Sequence, residues 1–149
     1  MKIVVDTNIV FSAILNSSSR IGKILINSKS HFQFYTCNFL RLELLKHRDK
    51  LLKITKLSFE ELEELESLIT ENITFINEEI IPEKTIIATE ALLHDIDLND
   101  TPFIALGRHL KAKLWTGDKE LMSGLEKKKF KNIISTKELS DLLDKLERK

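Results

Sequence analysis

The sequence predicts an α/β protein in which three layers, α/β/α, enclose a mostly parallel central sheet of four to five strands. Short apolar segments alternate along the chain with longer segments that have helical periodicity. No two-residue turn such as Asn-Gly joins two apolar segments, so we expect successive strands to be connected through helices and to pair in parallel. A chain of 149 residues, 42% of them hydrophobic, is expected to form one domain over residues 1–149.

Five short segments have the composition of buried strands. Residues 3–5 are a β-branched apolar run, and residues 31–37 alternate so that Phe32 and Phe34 share one side. The predicted strands are 3–5, 31–37, 73–76, 114–116 and 133–134. A parallel sheet built from these segments brings their carboxyl ends to one edge.

Helix start signals precede the segments between the strands. Candidate capping residues are Ser18 or Ser19, Asn38, Ser58 and Ser135, and Glu61 and Glu138 complete S-x-x-E capping boxes with the last two. Pro82 and Thr101-Pro102 are typical of first helical turns. Helices are predicted at 9–15, 19–25, 38–48, 58–69, 82–93, 101–110 and 135–146. The acidic residues expected to face water in the fourth of these are Glu60, Glu63, Glu64 and Glu66.

Composition excludes several classes of protein. The 23 basic and 23 acidic residues balance, which argues against a strongly basic nucleic-acid glove but leaves room for a local basic rim. Cys37 is the only cysteine, so neither a disulfide framework nor a cysteine zinc site is expected, and a reducing, cytoplasmic location follows. No apolar stretch has the length of a membrane span, and Asp6 interrupts any signal-peptide core, so no membrane partner is expected.

Four acidic residues stand where the predicted sheet would bring them together. Asp6 follows the first strand, and Asp118 follows the fourth. Asp100 precedes a helix start, and Glu43 lies one turn into another helix, on the edge of its apolar stripe. Ligands of open α/β sheets bind outside the carboxyl ends of the strands, which is where these side chains are expected.

Crowded carboxylates repel one another, and a cation is needed to keep them ionised together. Oxygen ligands of this kind select Mg²⁺ or Mn²⁺ rather than zinc, and two such ions about 3.5–4 Å apart can support hydrolysis of a phosphodiester. Each acid also has a simpler interpretation. Asp6 and Asp100 can cap helices, Asp118 can occupy a turn, and Glu43 can pair with a neighbouring base. The basic residues within reach of Glu43 are Arg41, Lys46 and His47.

Four sequence blocks resemble the signature of PIN domains. They are V-D-T-N-I-V at residues 5–10, L-E-L-L at 42–45, D-T-P-F-I-A-L at 100–106 and W-T-G-D-K-E-L at 115–121. Their order and spacing match across nearly the whole chain. Within the family the chain is similar to the toxin components of toxin–antitoxin systems, the VapC ribonucleases.

The resemblance implies a Mg²⁺- or Mn²⁺-dependent endoribonuclease that cuts single-stranded RNA and leaves 5′-phosphate and 3′-hydroxyl ends. It assigns the acidic quartet to Asp6, Glu43, Asp100 and Asp118, as metal ligands and catalytic residues. Asn8 and Thr116 correspond to polar residues that orient the quartet, and Asp97 and Asp95 are further acids near Asp100. A small antitoxin protein is the implied partner, and uncovered apolar helix faces make a homodimer an additional expectation.

An acidic site that binds RNA needs positive charge nearby. Lys111, Lys113 and Lys119 are the candidates, with the lysines at 127–129, Arg20 and Lys23 as further ones. The simpler interpretation is that these residues keep the protein soluble.

Other functions are compatible with part of the pattern. A PIN-like module without catalysis would bind RNA or a protein through the same surface. A phosphatase of the haloacid dehalogenase type also has an aspartate after its first strand, but it needs a second aspartate where Asn8 stands. A response-regulator receiver would begin with paired aspartates, which this sequence lacks.

Overall fold

The computed structural model describes residues 1–148 and contains a sheet in which every neighbouring pair of strands is parallel. The strands are β1 (Lys2–Val5), β2 (Gln33–Cys37), β3 (Ile73–Ile76), β4 (Lys113–Trp115) and β5 (Ile133–Ile134). Their order across the sheet is β3-β2-β1-β4-β5. The predicted fold class is confirmed, with five strands.

Helices connect the strands. Those of the described residues are α1 (Thr7–Leu15), α2 (Arg20–Asn27), α3 (Phe39–Lys46), α4 (Arg48–Thr55), α5 (Phe59–Thr70), α6 (Glu83–Leu93), α7 (Thr101–Leu110), α8 (Lys119–Lys127) and α9 (Thr136–Glu147). Short 3-10 segments at Glu78–Ile80 and Leu98–Asp100 precede α6 and α7. Among residues 1–148, no single helix has both the length and the apolar character to cross a membrane; only α1 and α2 taken together do, and they meet at 106°.

Both faces of the sheet are buried, as the apolar strand sequences predict. Successive β1 side chains point to opposite faces, so Ile3 and Val5 join the apolar cluster on one side and Val4 joins the cluster on the other. In β4, Leu114 and Trp115 divide in the same way. Two helical layers on a parallel sheet are the arrangement that buries such strands completely.

The crevice of the sheet lies between β1 and β4. These strands are neighbours, with Val5 opposite Trp115, although more than one hundred residues separate them in the chain. The connection from β1 leads to β2 on one side, whereas β4 and β5 lie on the other side. At such a switch point the helices after adjacent strands diverge and leave a cleft at the carboxyl edge.

The helix start signals are confirmed where they were strongest. Ser58 caps α5 and accepts from the Glu61 N–H at 3.1 Å, while the Glu61 carboxylate accepts from the Ser58 N–H at 2.9 Å. Ser135 and Glu138 form the same reciprocal pair at the start of α9. Ser19, rather than Ser18, caps α2. These local hydrogen bonds depend only on neighbouring residues, which is why the sequence predicts them.

The prediction of one helix over residues 38–48 is wrong. The helix ends at Lys46, and a second helix, α4, begins at Arg48 after a break at His47. The Asn38 side chain does not cap α3. The distant Glu78 carboxylate does so instead, because it accepts from the N–H groups of Asn38 and Phe39 at 3.2 and 2.8 Å.

Glu66 also departs from its prediction. Its side chain is half-buried, one carboxylate oxygen is shielded from water without a hydrogen-bond partner, and burial raises its pKa despite the nearby charge of Arg48. Glu60, Glu63 and Glu64 do face water. The difference arises because α4, which the sequence analysis missed, brings Arg48 towards the α5 face that carries Glu66.

Candidate active site

A cavity of about 180 Å³ opens at the carboxyl ends of β1 and β4. Its lining contains all four acids of the predicted quartet, from four separate segments of the chain. The lining residues are Asp6, Thr7, Asn8, Phe11, Glu43, His47, Asp97, Asn99, Asp100, Phe103 and Asp118. The expected convergence at one edge of the sheet is therefore present.

Asp6 lies at the base of this cavity and is 4% exposed. It is the first residue after β1, and its carboxylate accepts from the Ile9 N–H at 3.0 Å, which caps α1. Burial raises the pKa of Asp6 to about 6. Hydrogen bonds from Thr116 and from backbone N–H groups oppose that increase, and the charge of Asp118 adds to it.

Asp118 and Thr116 are held by the turn that leaves β4. The Asp118 carboxylate caps α8 by accepting from the N–H groups of Glu120 and Leu121 at 3.0 and 3.1 Å. The fully buried Thr116 hydroxyl accepts from the Asp118 N–H at 3.1 Å and hydrogen-bonds to the Asp6 carboxylate. One hydroxyl thus links the segments that follow β1 and β4.

Asp100 lies at the start of α7, but its side chain does not cap that helix. One of its carboxylate oxygens is shielded from solvent and has no hydrogen-bond partner in the described part of the chain. Burial raises the pKa of Asp100 to about 7, and the charges of Asp97, Asp6 and Asp118 contribute in that order. A carboxylate in this position lacks a compensating partner, which is costly unless a proton or a cation supplies one.

Glu43 reaches the cavity from α3, with its side chain 21% exposed. Its Oε2 lies 3.5 Å from Nε2 of His47, one helical turn further along. His47 itself lines the cavity beside Phe11, which its ring meets edge-on at 5.4 Å between centroids. Of the pairings considered for Glu43, the one with His47 is present.

Of the other polar and acidic residues considered near the quartet, Asn8 and Asp97 line the cavity and Asp95 does not. Asp97 accepts from the Asn99 N–H at 2.9 Å. Asp95 does not belong to the lining, because it pairs with Lys128, and that contact lowers its pKa. Of these two acids, Asp97 is the one that lines the cavity.

The three lysines proposed for RNA binding lie at different ends of the sheet. The start of α7 lies at the cavity, and the helix leads away from it. Lys111 follows the C-terminal end of α7 and is therefore distant from the cavity. Lys113 begins β4 opposite Ile3, at the amino edge of the sheet. Of the three lysines put forward first, only Lys119 lies on the side of the cavity, directly after Asp118.

Five lining residues were not assigned to the site from the sequence: Thr7, Phe11, His47, Asn99 and Phe103. Spacing would have found two of them. His47 lies four residues after Glu43, and Phe11 lies three residues after Asn8, so each lies one helical turn from a residue that was assigned to the site. Asn99 and Phe103 flank Asp100, and their placement depends on the 3-10 turn that precedes α7.

The donor set suits a hard divalent cation. Every acid in the lining offers carboxylate oxygens, and Asp100 holds a shielded oxygen without a partner. Within residues 1–148, however, no three His, Cys, Asp or Glu side chains lie close enough together to hold a metal ion as they stand. The residues fit such an ion in the chemistry of their donor atoms and in the cavity that they share.

Comparison with known proteins identifies the family. The model of the PIN domain matches residues 4–140, most of the chain, and the protein therefore belongs to the PIN domain family, whose members are in general nucleases. The crystal structure of VapBC2 from Rickettsia felis, bound to a DNA fragment from their promoter, contains a chain of the same fold. The two share 16% sequence identity with a TM-score of 0.67, over 91% of this chain and 97% of that one. No curated protein matches the sequence.

Proposed function

We propose that the protein is a metal-dependent endoribonuclease that hydrolyses phosphodiester bonds of single-stranded RNA. The observation that carries the proposal is the convergence of Asp6, Glu43, Asp100 and Asp118 on one cavity at the carboxyl edge of β1 and β4. Membership of the PIN domain family supports hydrolysis of a nucleic acid. We also propose that residues 1–149 form a single nuclease domain.

The four acids are the proposed ligands of Mg²⁺ or Mn²⁺. When bound, such a cation supplies Lewis acidity towards water and towards the phosphodiester oxygens. Thr116 connects the segment that carries Asp118 to the Asp6 carboxylate, because its hydroxyl accepts from the Asp118 N–H and hydrogen-bonds to Asp6. Asn8 is exposed at the rim, where its amide can orient an acidic neighbour or the substrate. Asp100 has a shielded carboxylate oxygen without a hydrogen-bond partner among residues 1–148, which leaves that oxygen available to the cation.

The biological setting is proposed from the structural neighbour. The neighbour comes from the VapBC2 assembly, and the shared fold supports a role for this protein as the toxin of a type II pair, held by a small antitoxin in the cytoplasm. Leu42 and Leu45 are 63% and 57% exposed on α3, the helix that also carries Glu43. Apolar side chains exposed in this way support the proposed homodimer.

The test is cleavage of labelled single-stranded and double-stranded RNA of one sequence with Mn²⁺, Mg²⁺ or EDTA. We expect cleavage of the single strand only with metal, and its loss in Asp6→Asn and Asp118→Asn. Asp95→Asn is the matched control, because this acid is close to Asp97 and Asp100 in the chain but lies outside the cavity. Full cleavage by either cavity variant, or equal loss in the control, contradicts the assignment.

A binding module without catalysis is the alternative. It is favoured by one observation, the lack within residues 1–148 of side chains already spaced to hold a metal ion. Such a module would retain RNA or a partner protein without cleaving RNA at any Mn²⁺ concentration. Calorimetric titration of the wild type with Mn²⁺ separates the two functions, since the alternative predicts no saturable binding.

A further inference from the structure

Among residues 1–148, His47 is the only basic side chain that lines the acidic cavity. It occupies the break between α3 and α4, and its backbone is held on both sides of that break. Its N–H donates to the Glu43 carbonyl at 3.1 Å, and its carbonyl accepts from the Leu51 N–H at 2.9 Å. The imidazole therefore projects from a fixed point of the backbone into a cavity lined by acids, by other polar side chains and by two phenylalanines.

Two contacts fix the ring itself. Its Nε2 lies 3.5 Å from Oε2 of Glu43. On another side, the ring packs against Phe11 with an interplanar angle of 83°. Both neighbours line the cavity, and only 35% of the His47 side chain is exposed. An edge-on aromatic contact of this kind restricts rotation of the ring, and so it directs Nε2 towards Glu43.

Glu43 needs such a neighbour more than Asp6 and Asp118 do. Asp6 and Asp118 are short side chains that accept from backbone N–H groups at helix starts. Glu43 has one more rotatable bond and lies inside a helix, where backbone N–H groups are already used. Among the described residues, no backbone N–H donates to the Glu43 carboxylate.

We propose that His47 is a positioning residue for Glu43, and that it keeps the Glu43 carboxylate turned into the cavity where a divalent cation binds. The inference rests on the proposed function, because it concerns one of the proposed metal ligands. Groups that orient metal ligands in this way typically contribute about 10–100-fold to metal affinity. The contribution of His47 passes through Glu43, so it disappears when Glu43 can no longer coordinate.

The test measures Mn²⁺ affinity of the whole protein by titration calorimetry at fixed pH. Three variants differ in their ability to reach Glu43: His47→Leu has no donor, His47→Asn is too short, and His47→Gln places an amide near the position of Nε2. We expect Mn²⁺ binding to be about tenfold weaker in His47→Leu and His47→Asn. In His47→Gln we expect Mn²⁺ affinity to recover to within about threefold of wild type. His94→Leu, at a side chain that is 72% exposed and outside the cavity, is the matched control.

A double variant decides whether the effect runs through Glu43. In a Glu43→Gln background, His47→Asn is expected to cause no further loss of Mn²⁺ affinity. Wild-type affinity in both His47→Leu and His47→Asn overturns the inference, and so does an equal loss with and without Glu43. If the wild type binds Mn²⁺ and these variants match it, only the role of His47 is rejected. If the wild type binds no Mn²⁺, the proposed function falls and the inference falls with it.

Discussion

Asp6→Asn should stabilise the metal-free protein at pH 8. The ionised Asp6 carboxylate is buried beside other acids, and its pKa rises from 3.8 to about 6 in the folded state. Since a tenfold change in proton affinity corresponds to about 1.4 kcal/mol, ionisation of this group costs about 3 kcal/mol of folding free energy. Asparagine removes the charge and keeps an oxygen that can accept from the Ile9 N–H.

The sign of the pH dependence follows from the raised pKa. Between pH 3.8 and 6 the folded state binds the Asp6 proton more tightly than the unfolded state, so wild-type stability falls as the pH rises through this range. At pH 4 the penalty is only about 0.5 kcal/mol. The advantage of Asp6→Asn over wild type should therefore grow from a small value at pH 4 to about 2–3 kcal/mol at pH 8 in EDTA.

Urea unfolding followed by tryptophan fluorescence measures this difference, because Trp115 is the only tryptophan and is fully buried in β4. Glu64→Gln, at an exposed position of α5, is the charge-matched control and should show no such pH-dependent gain. Saturating Mn²⁺ should stabilise the wild type and not Asp6→Asn. The reasoning is refuted if Asp6→Asn is less stable than wild type at pH 8 in EDTA, or if its advantage is the same at pH 4.

Two further predictions concern packing and reactivity away from the cavity. A methyl group at Gly22 in α2 would lie 2.3 Å from the Ser17 carbonyl oxygen, so Gly22→Ala should lower the free energy of unfolding by about 1–3 kcal/mol in urea titrations. At Gly117 a Cβ would have no neighbour within 4 Å, and φ is not positive. Gly117→Ala should therefore change the free energy of unfolding by less than about 1 kcal/mol. Equal effects of the two substitutions would contradict the steric explanation for Gly22. The Cys37 thiol is fully buried, and burial raises its pKa to about 12. It should therefore react with a thiol reagent at pH 8 only after the protein unfolds. Rapid labelling of the native protein would be inconsistent with this environment.

The sequence predicts those features that depend on neighbouring residues. The strands at 73–76 and 133–134 and both capping boxes appear as predicted, because apolar runs and reciprocal side-chain bonds form within a few residues. The break at His47 was missed, since no glycine or proline marks it. The capping of α3 by Glu78 was also beyond sequence reasoning, because it joins residues about forty positions apart.

The lysines show how a site prediction fails when the direction of a helix is ignored. Lys111 and Lys113 are close in sequence to the Asp100 block, and for that reason they were expected near the acids. The ten residues of α7 carry the chain about 15 Å along the helix axis, which is enough to take them from the carboxyl edge to the amino edge of the sheet. Nearness in sequence to one acid therefore does not place a basic residue at this site.

At this edge of the sheet, one acid can both cap a helix and belong to the site. Asp6 and Asp118 do both, since each accepts from backbone N–H groups at a helix start and also lines the cavity. The cap fixes one oxygen of each carboxylate, so the group keeps its orientation despite the repulsion of its neighbours. Asp100 lacks such a bond and has the highest of the raised carboxyl pKa values. Helix caps therefore explain which carboxylates are held in place and which one is left to bind a proton or a cation.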